Sequence, residues 1–197
     1  MNGIELLMKG LPHELILGSG SPRRQELLKS LGFKFIVKPI NADESFSPDL
    51  KAENIPLFLA EKKAVAYPEK LAEKELLITS DTIVWCEGQV LNKPADFEEG
   101  KKMLRLLSNK MHEVYTAVCL KSAHKQVLFY DVSKVYFKNL TDEEIEYYLV
   151  NFSPYDKAGG YGVQDWIGYI GIEKIEGSFY NVMGLPVKQL YEELIKF

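Results

Sequence analysis

The first clear pattern along the chain is a short apolar run, Leu15-Ile16-Leu17-Gly18-Ser19, broken at Gly20. It predicts a buried strand that ends in a turn. A helix is expected at once. Ser21 stands where a hydroxyl can accept from a free amide, Pro22 suits the first helical position, and Leu27, Leu28 and Leu31 supply an apolar face before Gly32. Phe33 to Val37 alternates into a second strand, so the opening reads strand, helix, strand. Ile55 to Ala72 carries a long helical pattern, with Pro56 tolerable in its first turn and Pro68 a kink or a stop. Leu76 to Cys86 reads as a central strand, interrupted in character by the polar triplet Thr79-Ser80-Asp81.

Further on, Asp96 and Thr141 are each followed three residues later by a glutamate, Glu99 and Glu144, the signature of a capping box ahead of a helix. Met103, Leu104, Leu106 and Leu107 give the first of these helices its apolar face; Ile145, Tyr148 and Leu149 do so for the second. Val114 to Leu120 and Gln126 to Phe137 read as paired strands joined through Ser122 to Lys125. The glycine-rich stretch from Ser153 to Gly177 is expected to hold loops and one or two strands, before a final helix from Val187 to Ile195. Strands interleaved with helices predict an α/β fold, a mixed twisted sheet with flanking helices.

At 197 residues the chain suits one domain or two small lobes sharing an interface. An apolar share of 46% and a charged share of 26% belong to ordinary globular proteins and exclude the disordered and collagenous classes. Twenty-four basic against 28 acidic residues leave a net charge of −4, which argues against a nucleic-acid polymer as partner. Cys86 and Cys119 lie in strand patterns without metal-ligand spacing and read as small core residues. Met1 to Pro12 shows no basic region followed by an apolar one, and no run reaches spanning length, so a cytoplasmic protein away from membranes is expected.

Three segments could carry chemistry. In Gly18-Ser19-Gly20-Ser21-Pro22-Arg23-Arg24, small residues let a ligand approach the backbone where helix amides and two guanidiniums can meet phosphate oxygens. An ordinary strand-to-helix turn with two solvated arginines would use the same residues. No Walker Gly-Lys-Ser/Thr follows. Asp81 sits in the strongest strand pattern, where a carboxylate must be paired, metal-bound or exposed; a strand end in water is the bland alternative. Lys93 beside Pro94 and the pair Asp43-Glu44 lie in turns or loops, where plain surface is the common fate of a lone charge. In Asp156 to Gln164, three glycines within four residues suggest a loop close to a ligand, or simply a mobile one. His13, His112 and His124 are scattered and give little support to a triad or a zinc site.

Taken in order, eight motifs resemble the Maf family of nucleoside triphosphate pyrophosphatases over Leu15 to Leu194. They are Ser19 to Leu28, Ala42-Asp43-Glu44, Ala60 to Ala64, Ser80 to Val84, Asn92-Lys93-Pro94, His112 to Thr116, Asp156 to Gln164 and Asn181 to Pro186. The resemblance implies a single Maf-like domain over 1–197 with two lobes around a deep cleft, related to the inosine triphosphate pyrophosphatases and often dimeric. It implies hydrolysis of a nucleoside triphosphate to monophosphate and pyrophosphate with Mg²⁺ or Mn²⁺. Asp81 matches the family's catalytic acid/base aspartate. Arg23, Thr82 and Gln164 match the marks of the branch preferring dTTP and UTP over 7-methylguanosine triphosphate, and modified pyrimidine triphosphates stay open. Gly18 stands where alanine is common, and Asn109-Lys110-Met111 replaces a glycine-bearing turn.

On that resemblance, electrostatics must dominate the reaction, because the substrate is a polyanion. Arg24, Lys63 and Lys93 are expected to neutralise phosphate charge, with Lys93 and Arg24 beside Asp81 in the catalytic group. Glu44 and Asp81 are the expected metal ligands. Ser19, Ser21, Asp156 and Lys157 complete the expected substrate contacts, and Gln164 can present both donor and acceptor to a pyrimidine edge. A competing reading is a nucleotide-binding regulator of septum formation with no significant turnover.

Overall fold

A computed structural model describes residues 11–197; the expectation of a leaderless start rests on Met1 to Pro12 and falls almost wholly outside the described residues. The chain divides into two compact units. Of the described residues, the first takes those up to 81 with 116–131 and 184–197, and the second takes 82–115 and 132–183. One mixed sheet has the order β2-β1-β3-β5-β6-β7, with β4 paired to β3.

The first unit opens with β1 (Glu14–Leu17), α1 (Pro22–Ser30) and β2 (Phe35–Val37). β1 pairs parallel with β2 and with β3 (Glu75–Cys86), matching Leu17 to both Val37 and Ile78. A parallel strand inside a sheet is covered on both faces, which explains why Leu76, Leu77 and Ile78 are all buried rather than alternating. α2 (Asn54–Val65) packs Ala60 and Ala64 into a core with Ile16, Leu77, Ala117 and Cys119. The helix stops seven residues short of the expected Ala72: the Ala66 amide closes the last turn on Lys62, and Pro68 disfavours helix at the residue before it. Tyr67 and Leu71 still reach that core, so their apolar spacing reports burial and not helix. Phe33 is buried but strand pairing starts only at Phe35. Burial pushes the Cys119 thiol up to about 12, in keeping with a core role.

The second unit holds β4 (Gln89–Leu91), α3 (Phe97–Leu107), part of β5 (Met111–Lys121) and β6 (Gln126–Phe137), and α4 (Asp142–Phe152). Leu104, Leu107, Val135, Tyr148, Leu149 and Ile167 form its centre. The Thr141 box is complete, with reciprocal bonds between Thr141 and Glu144. At α3 the box is shifted: the Asp96 carboxylate accepts from the Glu99 amide, while the Glu99 carboxylate accepts from Ala95 instead of Asp96. Gly100 lets α3 meet α4 closely, since a Cβ there would lie 2.9 Å from the Leu149 side chain. The glycine-rich stretch is more helical than expected. It contains a 3₁₀ turn at Ala158–Gly160, α5 (Trp166–Gly171) and the strand β7 (Ile172–Glu176), and α6 (Phe179–Met183) follows it. β7 pairs antiparallel with β6. A last helix, Val187–Lys196, belongs to the first unit.

Candidate active site

The candidate site of the first unit grows from the parallel pairing of β1 with β3. Because Leu17 pairs with Ile78, the turn after β1 arrives beside Thr79, Ser80 and Asp81, three polar residues that are nevertheless buried. The Gly18 amide donates to the Ile78 carbonyl at 2.8 Å. A Cβ at Gly18 would fall 2.6 Å from Ile40 Cδ1 and 2.9 Å from the Thr79 methyl, which accounts for glycine where alanine is common.

Thr79 Oγ1 donates to the Ala60 carbonyl at 2.6 Å, fastening α2 to β3. Residues two apart share a strand face and residues three apart share a helix face, so Asp81 and Lys63 are brought together by the same fastening. Lys63 Nζ lies 2.5 Å from Asp81 Oδ1 and 2.8 Å from Glu44 Oε1. Both Lys63 and Asp81 are about nine-tenths buried as side chains, while Glu44 is half exposed. The loop that carries Glu44 is tied down next door, where Lys62 Nζ meets Asp43 Oδ2 at 2.8 Å and the Ser45 carbonyl at 2.9 Å. The bond from Lys62, with help from Ser45, holds the Asp43 carboxyl below the usual range.

Arg24 binds the turn to the strand. Its Nε donates to the Gly184 carbonyl at 2.9 Å and its Nη1 to the Ser80 carbonyl at 2.8 Å, with Ser19 Oγ at 3.4 Å. Burial lowers the guanidinium's pKa from its ordinary value, and the neighbouring Asp81 opposes that shift. Ser21 occupies the N-cap position, but its hydroxyl caps nothing; its amide donates to Ser19 Oγ instead, at 3.3 Å. Arg23 lies half-buried in the first turn of α1. Thus Ser19, Ser21, Arg24, Glu44, Lys63 and Asp81 form one linked cluster. Gly184, whose carbonyl accepts from Arg24, escaped sequence reasoning; its only signal was a place in the Asn181 to Pro186 motif.

The remaining expected residues lie in the second unit. Thr82 opens its share of β3 and is half-buried. The turn at Lys93 and the glycine loop are joined, because the Gly159 amide donates to the Asn92 carbonyl at 3.1 Å. Gly159 and Gly160 both adopt φ of 70°, and a Cβ on Gly159 would lie 2.9 Å from Val84. Lys157 Nζ pairs with Asp156 Oδ1 at 2.8 Å and stands 3.7 Å from Asp165 Oδ2. Gln164 Nε2 donates to Asp165 Oδ1 at 3.0 Å. Asp165 and Tyr148, whose hydroxyl donates to Asp165 Oδ2 at 2.7 Å, were not singled out in the sequence as site residues. His112 is a core residue: its Nε2 meets the Tyr161 hydroxyl at 2.7 Å, and burial pulls its pKa down to about 3.

Among the described residues no three His, Cys, Asp or Glu side chains gather as a metal cage. Two carboxylates that share one ammonium suit a cation of another kind, one that takes its remaining ligands from substrate phosphates and water, as Mg²⁺ does. No described helix is long and apolar enough to cross a membrane.

An α/β sheet that aims buried, oppositely charged side chains at one point defines a protein built for a small, highly charged ligand. Residues 14–197 match the family described as Maf-like protein, and the chain belongs to that family. A "dTTP/UTP pyrophosphatase" of Parabacteroides distasonis is 52% identical over 186 residues, covering 94% of this chain and 96% of that protein. One from Phocaeicola vulgatus is 51% identical over 185 residues, covering 93% and 96%. Among solved structures, the Staphylococcus aureus Ham1 protein is similar at TM-score 0.41 and 12% identity, over 63% of this chain and 71% of that one.

Proposed function

We propose that this protein hydrolyses dTTP and UTP to the monophosphate and pyrophosphate. The observation that carries the reading is the buried Lys63–Asp81 ion pair, too costly to bury as mere packing, with the half-exposed Glu44 at its edge, in a chain half identical to named dTTP/UTP pyrophosphatases. Asp81 spends Oδ1 on Lys63. Its carboxylate is the base that orients, or takes a proton from, the water attacking the α-phosphorus. Lys63 places positive charge beside the oxygens that gain charge as pyrophosphate departs.

Glu44 and Asp81 would hold a divalent cation, Mg²⁺ or Mn²⁺, which when bound polarises phosphoryl oxygens and makes a neighbouring water more acidic. Arg24 holds the turn of Ser19 and Ser21 against β3, keeping the phosphate-facing backbone in place. Arg23, Thr82, Lys93, Asp156, Lys157 and Gln164 remain proposed substrate contacts on the strength of the sequence motifs, Gln164 as the contact to the base. The reading also takes in a homodimer, again from the resemblance, and a cytoplasmic setting, where the two buried free thiols would stay reduced.

The test is pyrophosphate release from dTTP, UTP and 7-methylguanosine triphosphate with Mg²⁺ or Mn²⁺. Release from dTTP and UTP at least tenfold faster than from the methylated purine is expected. Nucleotide binding with no release from any of the three would overturn the proposal in favour of a regulator.

A further inference from the structure

In the second unit a buried acceptor sits at the end of the glycine loop. Gln164 Oε1 is shielded from solvent and takes no hydrogen bond. The opposite end of the same amide is fixed, because Nε2 donates to Asp165 Oδ1 at 3.0 Å. An ionised carboxylate only accepts, so the amino group and not the carbonyl must face it. Asp165 is held in turn: the Tyr148 hydroxyl donates to Oδ2 at 2.7 Å, and the Gly162 amide donates to the Tyr148 oxygen at 3.0 Å. Tyr148 itself is fully buried on α4, so this chain is anchored in the core.

Gly162 completes the arrangement. A Cβ at that position would lie 2.5 Å from Asp165 Oδ2 and 2.8 Å from Gln164 Nε2, so both side chains fold back over a bare backbone. An unmet buried carbonyl is costly, and a ligand N–H aimed at it would recover that cost.

We propose that Asp165, seated by Tyr148, is a positioning residue that fixes the orientation of the Gln164 amide, holding one Nε2–H so that the unpartnered carbonyl is the acceptor presented to the base. A locked acceptor selects the imide N3–H of uracil and thymine. Cytosine carries no hydrogen on N3, and a free glutamine could serve it by turning its amino group round; this one is held. The inference rests on the assignment of Gln164 to the base in the reading above, and it adds the device that makes that contact one-sided.

Titration with non-hydrolysable α,β-imido analogues of UTP and CTP tests it without requiring turnover, so its outcome is separate from that of the pyrophosphate assay. The parent protein should prefer the uracil analogue. Asp165→Ala should lower that preference by about tenfold, chiefly by weakening the uracil analogue, as expected for one lost directed hydrogen bond. Gln164→Ala should lower it at least as far. Tyr148→Phe and Gly162→Ala, read by the same ratio and by melting temperature, cover the case in which Asp165→Ala folds poorly. A purely structural role for Asp165 would move the melting temperature and leave the ratio alone. A folded Asp165→Ala protein that keeps the parent's preference while Gln164→Ala loses it overturns the positioning role. A parent that binds both analogues equally overturns the selection as well.

Discussion

Replacing Asp81 by asparagine separates the charge of this side chain from its shape. Asp81 Oδ1 lies 2.5 Å from Lys63 Nζ, where Coulomb attraction at an effective dielectric constant of about 20 amounts to about 7 kcal/mol before desolvation. Most of that gross attraction is returned as the cost of taking both charges out of water. In the variant the asparagine carbonyl still accepts from Lys63, and Lys63 keeps Glu44 at 2.8 Å, so neither cation nor acceptor is stranded. Folding should therefore lose less than about 2 kcal/mol, a fall in melting temperature of at most about 8 °C for a chain of this size. Turnover should fall about 100-fold or more, because an amide cannot take a proton from water. That is about 2.7 kcal/mol added to the barrier. The assay is pyrophosphate release from dTTP at saturating substrate, alongside a melting curve. A folded Asp81→Asn protein whose kcat stays within threefold of the parent removes Asp81 from the chemistry.

The other predictions concern the residues around it. Lys63→Met leaves Asp81 and Glu44 without their shared ammonium and should cost about 3–5 kcal/mol by denaturant unfolding; adding Asp81→Asn should restore part of this, and a double variant no more stable than the single one would contradict the ion-pair account. Gly18→Ala should destabilise by about 1–3 kcal/mol through its clash with Ile40 Cδ1, and Ile40→Val, which lacks that atom, should relieve it; additive effects in the double-mutant cycle would refute the contact. His112 is neutral when folded, with its pKa pulled from 6.5 to about 3 by burial, so its contribution is complete above pH 6.5 and is lost as the pH falls toward 3. Unfolding free energies measured between pH 6.5 and 4 should lose about 1.4 kcal/mol per pH unit from this group, and the paired change His112→Phe with Tyr161→Phe, which removes both ends of their hydrogen bond, should flatten the slope by that much.

Much of the architecture is written locally. The strand at Leu15 to Leu17, the helix opened by Pro22 and the complete capping box at Thr141 follow from apolar spacing and from what each side chain does to its own backbone. Where local signals misled, a longer-range demand had intervened. Tyr67 and Leu71 kept a helical spacing past the end of α2 because they fill the core from irregular chain, and the glycine-rich stretch gained short helices that its composition concealed. Candidate chemistry was legible as residue types: a carboxylate in a strand, arginines after a glycine turn, a glutamine beside glycines.

Partnership was not legible. By itself the amino-acid order determined which side chains were out of place for their surroundings, Asp81 above all, since an ionised group in an apolar strand is anomalous wherever the strand goes. Only tertiary structure decided that Lys63, 18 positions earlier, neutralises it, that Arg24 reaches the Gly184 carbonyl across 160 positions, and that Asp165 turns the Gln164 amide. The reason is physical. A secondary element is specified by interactions within a few residues, whereas an ion pair or a directed hydrogen bond depends on strand register and helix docking, which many weak contacts set together.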